Sequence, residues 1–150
     1  IHAYPLAVGE DDRKIDLYIS RFLNVDHRTF APPEEKRQTV EVSQVSLDNF
    51  FSKLDKKISL IKIDIQGYEY KAVLGMRRLL ERNRPVILME FWPWGLRSAG
   101  TTPKAVLDFL KLVGYQTMHI DEETGSLNRL DSRLLGEGKD DYYDLFCTPR

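Results

Sequence analysis

Apolar and polar residues alternate with period two from Lys14 to Ser20, where Asp16, Tyr18 and Ser20 separate Ile15, Leu17 and Ile19. That spacing predicts a half-exposed strand, and it recurs from Thr39 to Val45. An apolar run from His2 to Val8, ending at Gly9-Glu10-Asp11-Asp12, predicts a further strand and turn. Between the alternating segments, Arg21 to Arg37 has no period and contains Pro32-Pro33. It reads as a long surface loop or flap, and loops of that length are more often functional than incidental. Ser46 is placed to cap a short helix over Leu47–Leu54, with Asp48 in its first turn.

The middle of the chain changes pattern twice. Ile58 to Ile65 is a nearly continuous apolar run of strand length, as expected of a parallel strand covered on both faces. Gln66-Gly67 interrupts it. From Tyr68 the spacing is helical, with Ala72, Val73, Met76, Leu79 and Leu80 on one stripe and Arg77, Arg78, Arg82 and Arg84 at the C-terminal end, where cations suit the dipole. Pro85 stops that helix, and Val86–Phe91 reads as a second buried strand. Thr102-Pro103 opens another helix through Leu112, with Val106, Phe109, Leu110 and Val113 as its apolar side and Gly114 as its C-cap. Tyr115–Ile120 and Tyr142–Cys147 read as two closing strands. Strands and helices in this order predict an α/β domain with a mostly parallel sheet and helices on both faces.

Composition narrows the function classes. The 150 residues suit a single domain, residues 1–150, able to bury a sizeable core. Lys plus Arg is 22 and Asp plus Glu is 23, so the net charge is −1. Such a balance argues against a nucleic-acid or anionic-membrane partner held by bulk charge. Cys147 is the single cysteine and forms no internal disulfide, which favours a reducing compartment such as the cytoplasm. No apolar run reaches the ~20 residues of a membrane span, and the N-terminus is not a signal peptide. The three histidines and the cysteine lack metal-ligand spacing, so no metal is expected. The chain starts at Ile1, in what reads as a strand, and a fragment of a longer protein is expected.

Ligands of open α/β sheets bind beyond the carboxyl ends of the strands. Asp64 and Glu90 stand near two such ends. Alternation puts Lys62 and Asp64 on one face of their strand, and a buried Lys and Asp there need partners. An internal ion pair, Lys62 with Glu90, is the bland alternative to a reactive site. Gly67 reads first as a simple strand-to-helix turn, and Glu69 as a carboxylate favoured by the helix dipole. Trp92 and Trp94 follow a strand end, where indoles stack on a ligand or pack as a lid. His27, in the flap, is a substrate contact or a solvated loop residue. Cys147 is most simply a small buried hydrophobe.

Taken together, several of these blocks are familiar. The run Leu60-Ile61-Lys62-Ile63-Asp64-Ile65-Gln66-Gly67-Tyr68-Glu69, followed by Leu74-Gly75 and by Pro85 to Glu90, resembles the FkbM family of S-adenosylmethionine-dependent methyltransferases. The family pattern is a strand ending K-x-D-x-E-G-x-E, a helix with an L-x-G step, and a strand ending in Glu. Ser46-Leu47-Asp48-Asn49-Phe50 is similar to the family's upstream "LD" helix, and Ala7-Val8-Gly9-Glu10 to its turn after the third strand. The resemblance runs from Leu6 to about Tyr115.

It implies a Rossmann-like class I methyltransferase fold and methyl transfer from S-adenosylmethionine to a hydroxyl of a sugar or secondary metabolite. Asp64 would then be acceptor or general base near the methyl group, with Glu69 and Glu90 as further catalytic carboxylates. Gln66, Trp92, Trp94 and His27 would meet the substrate, and Asp64, Gln66 and Gly67 the cofactor. Two departures matter. Gln66 stands where the family carries Glu, and the family's glycine-rich D-x-G-x-x-x-G turn is absent, with the acidic residue that holds the cofactor ribose. The family's strand order, 3-2-1-4-5-7-6, would leave two strands missing between His2–Val8 and Ile58–Ile65, a gap of about 14 Å at ~4.8 Å per strand. The C-terminal part of a longer enzyme is the favoured explanation, with pairing to another copy as a homodimer the alternative. A non-catalytic module derived from the scaffold is the competing functional class. Another doubly wound enzyme is disfavoured, because neither G-x-G-x-x-G nor G-x-x-x-x-G-K-[ST] occurs.

Overall fold

The computed structural model describes residues 1–20, 26–31, 35–131, 135–136 and 138–150. Its strands form two separate sheets. The smaller is three-stranded and consists of β1 (Ala7–Val8), β2 (Arg13–Ile19) and β3 (Gln38–Val45) in the order β1-β3-β2. β2 and β3 are antiparallel, and β1 runs parallel to β3. The larger is five-stranded, in the order β4-β5-β8-β6-β7. It consists of β4 (Leu60–Ile63), β5 (Val86–Phe91), β6 (Tyr115–Ile120), β7 (Leu127–Arg129) and β8 (Tyr143–Pro149).

The mixed α/β class matches the sequence pattern; the mostly parallel sheet does not. In the larger sheet only β4 and β5 pair in parallel, while β5–β8, β8–β6 and β6–β7 are antiparallel. An apolar run reports that a strand is buried, not which way its neighbour runs, and β8 inserts in reverse between β5 and β6. The smaller sheet is mixed as well, and β1 and β4 belong to different sheets. No strand pairing therefore spans the interval between β1 and β4 among the described residues.

Helical cover is also one-sided among the described residues. Ile87, Met89 and Phe91 of β5 are buried, with Leu145 and Cys147 of β8 in the same core cluster. That cluster takes the buried apolar side chains of α2 (Glu69–Leu74), α3 (Arg77–Asn83), α4 (Pro93–Ser98) and α5 (Pro103–Leu112). Val86, Leu88 and Glu90, alternating on β5, are only half-buried. β4 is an edge strand whose Leu60 is 58% exposed, not a strand covered on both faces.

One long helix was expected from Tyr68 to Arg84; α2 and α3 form instead. The break falls at Gly75, where an added Cβ would stand 1.9 Å from the Gly9 carbonyl oxygen. That close approach to the β1 turn leaves no room for a side chain, and the Gly75 carbonyl accepts the Asp48 N–H at 2.8 Å. Arg77 and Arg78 consequently start α3 rather than end a helix, where the dipole disfavours cations. Asp48 offsets this by accepting the Arg78 and Leu79 backbone N–H groups at 3.0 and 2.8 Å. Ser46 caps α1 (Leu47–Phe50), a single turn shorter than expected, by accepting the Asn49 N–H. Thr102 caps α5 in the same way.

The small sheet is fastened to α2 by polar contacts. Buried Gln44 donates to Asp11 and accepts the Tyr68 hydroxyl at 3.1 Å, and Lys71 pairs with Glu10 at 2.8 Å. These contacts set the β1 turn and the β2–β3 hairpin beside the ends of β4 and β5.

Candidate active site

The site grows from the register of two parallel strands. Ile63 pairs with Met89, so the next residues, Asp64 and Glu90, come out of the sheet side by side. Lys62 lies two positions back and does not form the ion pair with Glu90 that stood as the alternative to a reactive site. Its ammonium meets Asp64 at 3.0 Å, with the two side chains 53% and 47% exposed. An ion pair that exposed contributes little to stability.

The chain then turns sharply. Gln66 has φ 56° and Gly67 φ 96°. The left-handed region is strained for Gln66 and natural for Gly67. Gly67 also packs so closely on α4 that a Cβ would lie 2.6 Å from the Gly95 backbone. The turn aims the Gln66 amide at both carboxylates, donating to Glu90 Oε2 at 3.0 Å and to Asp64 Oδ1 at 3.4 Å.

Beneath the turn sits Glu69, 0% exposed. Its Oε1 accepts the Ile65 and Gly67 backbone N–H groups, both at 3.2 Å, while Oε2 is buried without a hydrogen bond among the described residues. Glu69 is thus enclosed by backbone donors and holds the turn from inside, lining neither of the cavities that Asp64 and Gln66 line. Burial pushes its carboxyl up to about 7 against the relief from those N–H donors. Glu90 is also pushed up to about 7, first by burial and then by the neighbouring Asp64 and Glu69 charges.

Two cavities, each about 460 Å³, meet at this turn, and Asp64 and Gln66 line both. One is polar, lined by Asp26, Arg28, Asp64, Gln66, Glu90 and Tyr142. The other is mainly apolar, with Leu6, Val8, Leu17 and Val42 among its walls and His27 and Thr29 at its polar side. His27 is thus brought to the site, its Nδ1 accepting the Ser20 N–H at 3.1 Å. A third cleft, about 500 Å³, lies between α1 and α3, where Asp48 is already engaged in capping.

The tryptophans take other positions. Trp92 is 0% exposed, donates its indole N–H to the Lys139 carbonyl at 2.7 Å and stacks on Tyr142 at 4.9 Å. It has no surface for a substrate, because the strand end turns its ring inward. Trp94 is half-buried against Phe30 and Lys139, and neither indole lines the two cavities. The ring that reaches the polar cavity is Tyr142, which the sequence pattern assigned only to a strand. Arg28 and Asp26 also line it, and both lie in the flap that the sequence marks as a candidate specificity loop. An acidic-His-Arg run between two strands was the available signal. Residues 21–25 and 32–34 of the flap lie outside the described residues.

No helix of the described residues is long and apolar enough to cross a membrane. Among the described residues no group of three His, Cys, Asp or Glu side chains could hold a metal ion.

The carboxylates at the ends of two parallel strands, around a strained turn, stand where open α/β sheets commonly bind ligands. The sequence profile of the methyltransferase FkbM domain matches residues 2–117, and the chain belongs to that family. Among solved structures, the chain is similar to the methyltransferase FkbM from Methylobacillus flagellatus KT, with 16% identity and a TM-score of 0.46. The similarity covers 93% of this chain but 26% of that one, so the chain spans about a quarter of that protein's length. No curated protein matches.

Proposed function

We propose that this chain forms the catalytic side of an S-adenosylmethionine-dependent O-methyltransferase acting on a hydroxyl of a small molecule or glycan. The observation that carries the reading is the shared wall, Asp64 and Gln66, between a polar and an apolar cavity. Family membership supports methyl transfer, and the order β4-β5-β8-β6 agrees with the 4-5-7-6 run of a Rossmann-like methyltransferase sheet.

The apolar cavity fits part of the cofactor. Leu6, Val8, Leu17 and Val42 offer walls for a flat base, and Thr29 Oγ1 is a buried hydroxyl with no partner among the described residues. Asp64 and Gln66 stand where that cavity meets the polar one. S-adenosylmethionine, when bound, supplies an electrophilic methyl group. The chain's own residues do the rest. Glu90, with a carboxyl near neutrality, takes the proton of the acceptor hydroxyl, because a base poised near the working pH is the most effective. Asp64 accepts from the same hydroxyl and orients it. Gln66 holds the two carboxylates at fixed separation, a task an amide performs and a carboxylate would not. Glu69 and Gly67 keep that amide in place.

Calorimetric titration of S-adenosylhomocysteine into the 150-residue chain, and into a version extended upstream, tests the reading. Binding by either form, with methyl transfer to an alcohol, is the expected result. Silence from both moves the assignment to a non-catalytic module on a methyltransferase scaffold.

A further inference from the structure

Tyr142 lines the polar cavity but has no part in the chemistry above, and it lies beyond residues 2–117, the segment that matches the family profile. The register of β5 and β8 puts it there. Glu90 pairs with Asp144 and Phe91 with Tyr143, so the next residues outward, Trp92 and Tyr142, leave the sheet side by side. Alternation returns Tyr142 to the face of Glu90, as a diagonal neighbour about 7–8 Å away across the strands, within reach of an aromatic side chain. Its ring is held from behind. Trp92 stacks on it with centroids 4.9 Å apart and planes 16° from parallel, and Trp92 is itself buried and tied to the Lys139 carbonyl. One face of Tyr142 is thus covered, yet the residue remains 39% exposed. The other face is a flat apolar wall in a cavity whose remaining walls, Asp26, Arg28, Asp64, Gln66 and Glu90, are all polar.

Those polar walls are largely spent on one another. Asp26 accepts from Arg28 and Arg37, Asp64 from Lys62 and Gln66, and Glu90 Oε2 from Gln66. Glu90 Oε1 is the carboxylate oxygen of the cavity that accepts nothing among the described residues. The cavity therefore answers one hydroxyl with an acceptor and one flat face with a ring. A polyol would bring further hydroxyls out of water with few partners to meet them, which costs free energy. An aromatic ring with a single hydroxyl brings no such groups and gains the stacking.

We infer that Tyr142 is a specificity-determining residue whose open face seats an aromatic ring, with the hydroxyl of that ring directed at Glu90 Oε1. The cavity thereby selects phenols over saturated alcohols. The ring of Tyr142 does this, not its hydroxyl. The inference rests on the methyl-transfer reading for the reaction that follows binding, and on the geometry of β5 and β8 for the seat itself.

The test uses phenol and cyclohexanol, which carry one hydroxyl on a flat and on a puckered six-membered ring. Each is titrated into the chain by ligand-detected NMR, and nuclear Overhauser contacts from bound phenol to the Tyr142 ring protons are recorded. Phenol binds more tightly than cyclohexanol and shows those contacts. Tyr142→Leu, which removes the ring, weakens phenol binding by roughly two- to tenfold, the range of an aromatic pair, and leaves cyclohexanol nearly unchanged. Tyr142→Phe, which keeps the ring and loses the hydroxyl, retains the parent preference. Equal affinities in the parent, no binding of either alcohol, a preference that survives Tyr142→Leu, or one lost in Tyr142→Phe overturns the inference. Methyl transfer from S-adenosylmethionine to both alcohols is measured alongside, with this chain and with the version extended upstream. A Tyr142-dependent preference without methyl transfer in either form keeps the aromatic seat and removes the methyltransferase reading instead. The parent titration, its Overhauser contacts and Tyr142→Phe decide the matter even if Tyr142→Leu fails to fold.

Discussion

Glu69 below the Ile65–Gly67 turn and Glu90 above it have carboxyls pushed to the same value, about 7, in two different regions. Below the turn, the carboxylate faces backbone N–H groups and the core; above it, the carboxylate faces a cavity and the Gln66 amide. The same shift therefore accompanies two different jobs. A perturbed carboxyl marks burial, and only its neighbours say whether burial serves structure or chemistry.

Glu69→Ala should have the largest effect. It leaves two buried N–H donors without an acceptor, a loss of roughly 2–6 kcal/mol at 1–3 per group. Glu69→Gln keeps an accepting oxygen and should stay within about 1 kcal/mol of the parent in urea unfolding. If both variants lose methyl transfer while staying folded, Glu69 acts in the chemistry and the division between the two regions is wrong.

Glu90→Gln should behave in the opposite way. Stability changes little, while turnover falls by roughly 10²–10⁴, the range of a lost general base. A rate within twofold of the parent would sink its assignment as base. Gly67→Ala comes next, because a side chain at φ 96° meets the Gly95 backbone. The expected loss is about 1–3 kcal/mol, read from the melting midpoint. Asp64→Asn, at an exposed position, should lower turnover more than S-adenosylhomocysteine affinity, with stability held within about 0.5 kcal/mol.

The pH dependence of stability tests both regions at once. Both carboxyls lie above the ordinary 4.5, so the native state keeps protons that the unfolded chain has released. Their stabilising contribution is complete below about 4.5, declines as the pH rises, and is gone above about 7. Urea midpoints between those values should fall with pH, and Glu69→Gln should flatten the slope. An unchanged slope would mean that Glu69 stays ionised throughout.

Much of the architecture was legible in the chain. The positions of β2, β3, β5, β6 and β8, the Ser46 cap, the helix start at Thr102-Pro103 and the buried stripe Ala72, Val73, Met76, Leu79, Leu80 follow from local periodicity and side-chain chemistry, whereas β7 and α4 do not. The carboxylates Asp64 and Glu90 were legible too, because strand ends and acidic residues are both local features. Strand direction was not, since β8 enters the larger sheet in reverse through contacts far apart in sequence. Nor was the helix break at Gly75, beside the Gly9 carbonyl, or the inward turn of Trp92.

Residue types and their spacing by themselves determined the family, the α/β class and the candidates for chemistry, because each is written in neighbours along the chain. The tertiary structure alone decided which carboxylate meets a cavity and which meets backbone. It also decided that Tyr142 rather than Trp92 reaches the site, and that Arg28 shares a cavity with Glu90. Those outcomes depend on burial and register between segments tens of residues apart, which no local pattern encodes.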